Sequence, residues 1–455
     1  MRARKFALAN ARFMLFLAVF SPGLVAVLGY GVMINALYLA ACAFPALGVL
    51  QMWSTGSRKN FYYRPTLAFY LGGAVILLQL ISMTRGVLSP FPEVNEISYR
   101  LLLLGIMAVG AVFFFQNLKP LEMAPALNHA LVMVALFCAV NLVFWAMGMR
   151  SPQADSNLAA NTKAVILSYM GIDMLRVYFP LSWGVNTFGS TSAAVFAAGL
   201  IRMLTAGKYG VRALTPLNLL LTIPTFVCIL LTDSRGAFAA AIVSALVGAY
   251  FPRLAGPAIV AFLTISFLAV FNLGALSSMN IPGLSRDDGS SVLSGRELIW
   301  APVVLEAVNP TSDHVFGWGH FGHFSSGVSK VYGVVLAGWG DTPELIHVHS
   351  TYLQSFVDTG YVGTIALVLF IVVGISTLSR VIREMDSVDS RISLALLTFF
   401  SMQGFSEITF QCYQPWLFLF LLTIIAPMRR KIFVRREAQA KSGGNAPRRL
   451  AIDGG

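Results

Sequence analysis

The residues best suited to acid–base chemistry lie in one polar stretch, from Ser277 to Gly360, between two long apolar runs. It holds five of the chain's six histidines, with three tryptophans and three basic residues. These are His314, His320, His323, His347 and His349, then Trp300, Trp318 and Trp339, then Arg286, Arg296 and Lys330. Because most of the remaining sequence is apolar, we expect the chemistry of the protein here.

The strongest candidate in this stretch is His349, as a general base. Thr351 and Gln354 have the spacing of a capping box, and Gly360 is a suitable stop, so the sequence predicts a short helix between them. His349 then lies just before a helix N-terminus, where the dipole favours the neutral imidazole that a base requires. The alternative is a purely structural histidine.

Arg296 is a candidate for binding an anion. Ser294 and Glu297 have capping-box spacing, and the apolar residues that follow, including Trp300, recur at helical spacing as far as Asn309. An arginine in the first turn opposes the helix dipole, and an anion at that position would compensate for the cost. The alternatives are a solvated arginine or a pair with Glu297.

Arg235 is a second candidate for binding an anion. It lies in the short segment Asp233-Ser234-Arg235-Gly236, between two apolar runs. A charge near a membrane usually has a partner, because transfer into the bilayer is costly. That partner is either Asp233 or a phosphate, which a guanidinium can bind with two hydrogen bonds.

The segment Phe316–Phe324 alternates glycine with aromatic residues and histidines. Glycines allow a backbone to approach a ligand, and the face of Trp318 suits stacking on a sugar. The alternative is a compact loop packed at the membrane surface, where aromatic residues are common. A metal site is disfavoured, because no cysteine joins the histidines and the acidic residues lack a recognised spacing. We therefore predict no metal and no cofactor.

The composition is that of a polytopic membrane protein. Of the 455 residues, 57% are hydrophobic and only 11% are charged, whereas soluble domains carry about 25% charged residues. The net charge of +12 does not indicate nucleic acid, because the basic residues occur in short clusters between apolar runs. The four cysteines lie in or beside apolar runs and indicate no disulfide framework.

The apolar runs predict an all-α fold of about twelve transmembrane helices, with a large loop containing short helices between spans 9 and 10. The predicted spans are 13–30, 32–53, 66–84, 100–116, 126–148, 187–205, 214–232, 236–251, 255–275, 361–379, 392–408 and 415–428. The predicted parts are a bundle over 1–275, an active-site loop over 276–360, further spans over 361–428 and a basic, disordered tail over 429–455. Most lysines and arginines fall on the side of the termini, so both termini are expected in the cytoplasm and the loop outside.

The order of these motifs resembles the O-antigen ligase/polymerase superfamily over about residues 231–369. The matching pieces are the outer Ser-Arg-Gly turn at Arg235, the Gly-Arg-x-x-x-Trp helix at Arg296, and a Gly-x-Gly step around Trp318. The last are His349-Ser-Thr-Tyr-Leu and Gly360-Tyr-Val-Gly. The family more often has His-Asn where this chain has His-Ser, so no role for that amide is carried over.

The resemblance implies a metal-independent, inverting glycosyltransferase of the bacterial inner membrane that uses undecaprenyl pyrophosphate-linked glycan at the periplasmic face. It implies His349 as base, with Arg235 and Arg296 at the pyrophosphate. Further candidates for substrate binding are Arg176, Trp318, His347 and Tyr352. A ligase would pass the glycan to lipid A–core, with membrane lipids as its surroundings.

Three alternatives stay open. A polymerase or a protein O-oligosaccharyltransferase of the same superfamily would use another acceptor. The Arg-x10-Gly motif of many polymerases does not occur in the predicted outer segments. A transporter or flippase would require charges at mid-membrane and related halves, and the sequence offers few of the former and no sign of the latter.

Overall fold

The computed structural model describes residues 67–117, 120–151, 162–182, 184–274, 295–334, 336 and 343–411. Within these ranges the regular structure is helical and no strand is formed. The longer helices are α1 (Leu67–Val87), α2 (Pro92–Asn117), α3 (Pro120–Ala146), α5 (Val185–Leu204), α6 (Pro216–Thr232), α7 (Arg235–Tyr250), α8 (Ala255–Phe271), α9 (Arg296–Val308), α12 (Thr351–Glu384) and α13 (Val388–Gln403). The short ones are α4 (Val165–Tyr169), α10 (Gly322–Ser325) and α11 (Ser329–Gly333), with 3₁₀ turns at Gly207–Tyr209, Ser312–Val315 and Pro343–Leu345.

Four of these helices are long and apolar enough to cross a membrane: Leu67–Val87, Leu127–Ala146 within α3, Val185–Leu204 and Thr351–Glu384. Helices α6, α7 and α8 are apolar but shorter. The all-α membrane architecture is therefore confirmed for the described residues, whereas the total of twelve spans stays a prediction. Spans 13–30, 32–53 and 415–428 and the tail lie outside the described residues.

One predicted span is too long at its end. The sequence predicts a helix over 392–408, but α13 ends at Gln403. The following Gly404 lies against the Phe400 carbonyl oxygen and the Thr351 side chain, where an added Cβ would be 3.0 and 3.3 Å away. Residues 404–408 follow an apolar helix and include Phe405 and Ile408, so hydropathy averaged along the chain does not reveal that the chain leaves the helix there. Glu407 therefore belongs to the non-helical segment that follows α13.

Helix α5 lies at the centre of the bundle, against α6, α7 and α13. Its buried face is built largely from glycine, alanine and serine, and small residues allow helix axes to approach closely in a membrane. A separate apolar cluster, which includes Trp300, Tyr332, Val348 and Phe356, lies under the polar stretch between α8 and α12. This cluster fixes α9 and α11 on the first turns of α12.

At the opposite end of the bundle, Asp386 joins three elements. Its carboxylate accepts hydrogen bonds from Lys208, Tyr209 and Arg391, which hold its pKa well below the ordinary value. Arg391 also donates to the Gly248 carbonyl oxygen near the end of α7, a favourable place for a cation. The network ties α7 to α13 at the predicted cytoplasmic side.

Helix α12 is interrupted at Gly360, where the sequence predicts a stop. Gly360 has φ 70° and ψ −165°, a region that is essentially restricted to glycine. A Cβ on Gly360 would lie 2.5 Å from the Gly317 backbone nitrogen. The break separates a short outer segment, 351–359, from the long apolar part of α12.

We predict that Gly360→Ala lowers stability by about 1–3 kcal/mol, the cost of placing a side chain in this backbone region, with a further cost from the crowding by Gly317. The measurement is the thermal unfolding of the purified protein in detergent, followed by circular dichroism.

The matched control is Gly73→Ala in α1, where an added Cβ meets no atom within 4 Å. Alanine favours a helix over glycine, so this variant should be as stable as the parent or more so. Equal unfolding temperatures for the two variants would contradict the strain assigned to Gly360.

Candidate active site

The carboxylate of Glu407 joins two of the predicted site residues. Its Oε1 lies 2.6 Å from Nη2 of Arg296, and its Oε2 lies 3.4 Å from Nδ1 of His349. Burial alone would raise the pKa of Glu407, but Arg296 and His349 outweigh burial and hold this pKa below its ordinary value. The group is therefore an ionised carboxylate between a guanidinium and an imidazole.

Thr351 positions the segment that carries Glu407. Its backbone N–H donates to the carbonyl oxygens of Gly404 (2.7 Å) and Glu407 (3.2 Å). Its hydroxyl donates to the Glu407 carbonyl oxygen (2.9 Å) and accepts from the backbone N–H of Thr409 (2.7 Å). The first residue of α12 therefore fixes the segment after α13, and this places the Glu407 carboxylate beside His349.

His349 lies just before the N-terminus of α12, as predicted. Its φ of 52° is in the left-handed region, which is uncommon for a residue with a side chain and is often found at functional sites. Its side chain is 31% exposed. A partly exposed imidazole with one nitrogen facing a carboxylate can present the other nitrogen to a substrate.

The predicted capping box at this helix is wrong. The N-cap is Ser350, and Thr351 is already in the helix. Gln354 instead accepts a hydrogen bond from the Val348 N–H (3.1 Å) and donates to Asp358 (2.9 Å). Since the side chain of Gln354 supports the backbone that precedes His349, it still helps to position the base.

Arg296 is the first residue of α9, and its N-cap is Gly295 with φ 84°, without a side-chain cap. Ser294, the predicted cap, lies outside the described residues. Trp300, one turn later, is buried and donates from Nε1 to the Val348 carbonyl oxygen (2.8 Å). This bond holds the start of α9 against the loop that carries His349.

Arg235 is the first residue of α7, and its Nε lies 3.5 Å from Oδ2 of Asp233. The local partner that the sequence offered is therefore present. A Cβ on Gly236 would lie 3.9 Å from the Ser406 hydroxyl. The turn that bears Arg235 thus adjoins the segment that bears Glu407.

Arg176 bonds the end of the helix that precedes this turn. It is buried and donates to the Thr232 carbonyl oxygen and to Oδ1 of Asn186, both at 2.7 Å. The backbone N–H of Ile166, in α4, donates to Oδ1 of Asp233 (3.1 Å). The apolar stretch 164–174 is therefore partly packed against this turn.

The glycine-aromatic segment is a compact loop on the outer segment of α12. A Cβ on Gly317 would lie 2.6 Å from the Gly360 nitrogen, and one on Gly322 would lie 2.5 Å from the Val357 carbonyl carbon. Arg85 of α1 donates to the Gly317 carbonyl oxygen (2.7 Å). The glycines therefore allow contact with another backbone, which was one of the two interpretations of this segment.

Trp318 and Tyr352 lie in different surroundings. The Trp318 ring is half-buried and packs edge-on against His314 (4.6 Å between centroids). Tyr352 is buried, and its hydroxyl donates to the Ser401 carbonyl oxygen (2.7 Å), which links α12 to α13. A role for either in substrate binding stays a prediction.

Of the remaining histidines, His320, His323 and His347 pack around the Phe321 ring, and His314 packs against Trp318. His314 is buried and accepts from the Thr311 N–H (2.7 Å), and His320 bonds the Ser98 hydroxyl (2.8 Å). His347 stacks on Phe321 (5.0 Å). Among the described residues, no group of three or more His, Cys, Asp or Glu has metal-site geometry.

Sequence reasoning missed Glu407, although a signal was present. It is the only acidic residue between Asp389 and Glu437 and interrupts an apolar run. An ionisable residue at such a place is a functional candidate by default.

A family model described as O-antigen ligase matches residues 219–382. The matched segment begins in α6 and ends near the end of α12, so it contains Arg235, Arg296 and His349 but not Glu407. Comparison with curated proteins gives no match. The resemblance that the motifs carry is confirmed over this segment.

We predict that acid destabilises this region. Burial lowers the pKa of His320 to about 3, of His347 to about 4 and of His323 well below its ordinary value. In the unfolded chain each would titrate near 6.5, so the unfolded state binds more protons below that pH. The unfolding temperature should therefore fall between about pH 6.5 and pH 4.

His347→Phe keeps the ring stacked on Phe321 and removes one titrating group, so its unfolding temperature should fall less between pH 6.5 and pH 4 than that of the parent. Parallel curves for the two proteins would contradict a protonation cost at His347.

Proposed function

We propose that the chain is an O-antigen ligase, of the superfamily whose model matches residues 219–382. It transfers a glycan from undecaprenyl pyrophosphate to lipid A–core at the periplasmic face of the bacterial inner membrane. The observation that carries this proposal is that Arg296 and His349, from distant parts of the chain, meet at the carboxylate of Glu407. A cation for the leaving group and a base for the acceptor are thereby close together.

The donor's pyrophosphate is assigned to Arg235 and Arg296. Each is the first residue of a helix, where free backbone N–H groups and the helix dipole favour an anion. Guanidinium groups bind phosphate oxygens with two hydrogen bonds. Fixed positive charge at the leaving group stabilises the negative charge that grows there in the transition state.

The transfer is a single displacement. Nε2 of His349 removes the proton from an acceptor hydroxyl while the hydroxyl oxygen forms a bond to the anomeric carbon. The bond from that carbon to the phosphate oxygen breaks on the opposite face, and its electron pair leaves with undecaprenyl pyrophosphate. The protonated imidazole then returns its proton to the solvent, and the configuration at the sugar carbon is inverted.

A small apolar pocket lies beside the site, between α8 and α12, and is lined by Leu263, Phe267, Val270, Leu353 and Phe405, with Ser350 next to the base. It is too small to hold an isoprenoid chain, so we assign the donor's lipid to the surrounding bilayer, with its pyrophosphate facing the N-termini of α7 and α9.

The test is transfer in vitro. Purified protein in nanodiscs is given undecaprenyl pyrophosphate-linked glycan with lipid A–core, with a second lipid-linked repeat, or with an acceptor peptide. Glycan on lipid A–core, detected by mass spectrometry, is the expected product. Product only on the lipid-linked repeat would make the chain a polymerase, and product only on the peptide would make it a protein glycosyltransferase.

We predict that His349→Ala lowers turnover by about 10²–10⁴-fold, the usual contribution of a general base, with the bound amount of donor little changed. The measurement is transfer to lipid A–core, together with donor binding. His347→Ala, two residues away, is the control and should lose less, because His347 packs on Phe321 whereas His349 contacts Glu407. If His347→Ala were the inactive variant, the base would be reassigned to His347.

We predict that Arg235→Ala weakens donor binding, because it removes a charge-assisted contact worth roughly 1.5–3 kcal/mol. Lysine at this position should restore binding only in part, since an ammonium lacks the paired donors of a guanidinium. The measurement is donor affinity in nanodiscs. Unchanged affinity in Arg235→Ala would remove Arg235 from the pyrophosphate site and make its pair with Asp233 structural.

A further inference from the structure

We propose that Glu407 is a positioning residue that couples donor binding to activation of the base. In this proposal, which rests on the function above, the donor's pyrophosphate competes with Glu407 for Arg296. The displaced carboxylate then takes the Nδ1–H of His349. The imidazole is thereby fixed in the tautomer whose Nε2 faces the acceptor.

The first argument is the asymmetry of the carboxylate. Its Oε1 lies 2.6 Å from Nη2 of Arg296, a short charge-assisted contact, whereas its Oε2 lies 3.4 Å from Nδ1 of His349. The carboxylate is therefore held mainly by the arginine, and its contact with the imidazole is long for a hydrogen bond. A small rotation of the Glu407 side chain exchanges one partner for the other.

The second argument is the local charge. The segment that bears Glu407 adjoins the first residue of three helices. Glu407 bonds Arg296 of α9 directly, and its carbonyl oxygen accepts a hydrogen bond from Thr351 of α12. Ser406 lies beside Gly236, the residue after Arg235 of α7. Each helix N-terminus carries a partial positive charge. Asp233 pairs with Arg235, and Glu407 faces Arg296 together with the N-termini of α9 and α12, a place that favours anions.

The third argument is an incompletely bonded guanidinium. Nε of Arg296 is buried and makes no hydrogen bond to the part of the chain that the structure describes. A buried donor without an acceptor is costly, and a phosphate oxygen would satisfy it. Arg296 therefore has a donor free for an anion in addition to the one that Glu407 occupies.

The fourth argument is the backbone of Glu407, which is fixed independently of its side chain. The Thr351 hydroxyl and the Thr351 N–H both bond the Glu407 carbonyl oxygen (2.9 and 3.2 Å). The carboxylate can leave Arg296 while its segment stays in place, so the exchange needs no larger rearrangement.

The experiment compares the parent with Glu407→Gln, which keeps the shape and removes the charge. Binding of inorganic pyrophosphate should become tighter, on the order of tenfold, or about 1.4 kcal/mol, because a competitor of the anion is gone. Transfer should lose kcat by roughly 10- to 100-fold, less than the loss of the base itself, while the KM for donor is unchanged or lower. Glu407→Asp keeps the charge and should recover part of the kcat.

The control is Glu306→Gln, since Glu306 makes a similar 3.4 Å contact with His314 away from the site; both pyrophosphate binding and kcat should stay at parental values. Weaker pyrophosphate binding in Glu407→Gln, or an unchanged kcat, would overturn the proposal. Arg296→Ala should lose pyrophosphate binding. If the parent transfers no glycan, the proposed function fails, and the binding comparison still decides whether Glu407 competes for Arg296.

Discussion

The candidate site depends on one interaction, the ionised carboxylate of Glu407 held between Arg296 and His349. A buried carboxylate is stable only with compensating charge and hydrogen bonds, and here the guanidinium supplies most of both. Arg296 is at the start of α9, His349 precedes the N-cap of α12, and Glu407 lies in the segment after α13. The three elements must therefore be fixed relative to one another before the contact can form.

Several contacts around the site hold these three elements in fixed relative positions. Thr351 bonds the Glu407 segment to the first turn of α12, and the Trp300 indole bonds the backbone next to His349. Gly360 ends the outer segment of α12 so that the glycine-aromatic loop can pack against its backbone. Removing any of these contacts would shift a partner of the carboxylate without touching the carboxylate itself.

The sequence predicted the local features well and the long-range contacts poorly. The position of His349 before a helix and the break at Gly360 follow from residue types within a few positions, and both agree with the structure. The capping box at α12 failed because Ser350 occupies the cap position, and Thr351 and Gln354 make tertiary contacts instead. Glu407 was missed because hydropathy averaged it into a predicted span, and its partner Arg296 lies more than a hundred residues away in the chain.

The two histidines at 347 and 349 illustrate why the assignment of the base needed the fold. In sequence they are nearly equivalent, and both precede the same helix. In the structure, burial against Phe321 lowers the pKa of His347 to about 4, so it is a weak base at neutral pH. His349 is partly exposed and has a carboxylate beside Nδ1. A base must accept a proton from the substrate and be stabilised once it carries the charge, and Glu407 can provide that stabilisation only to His349.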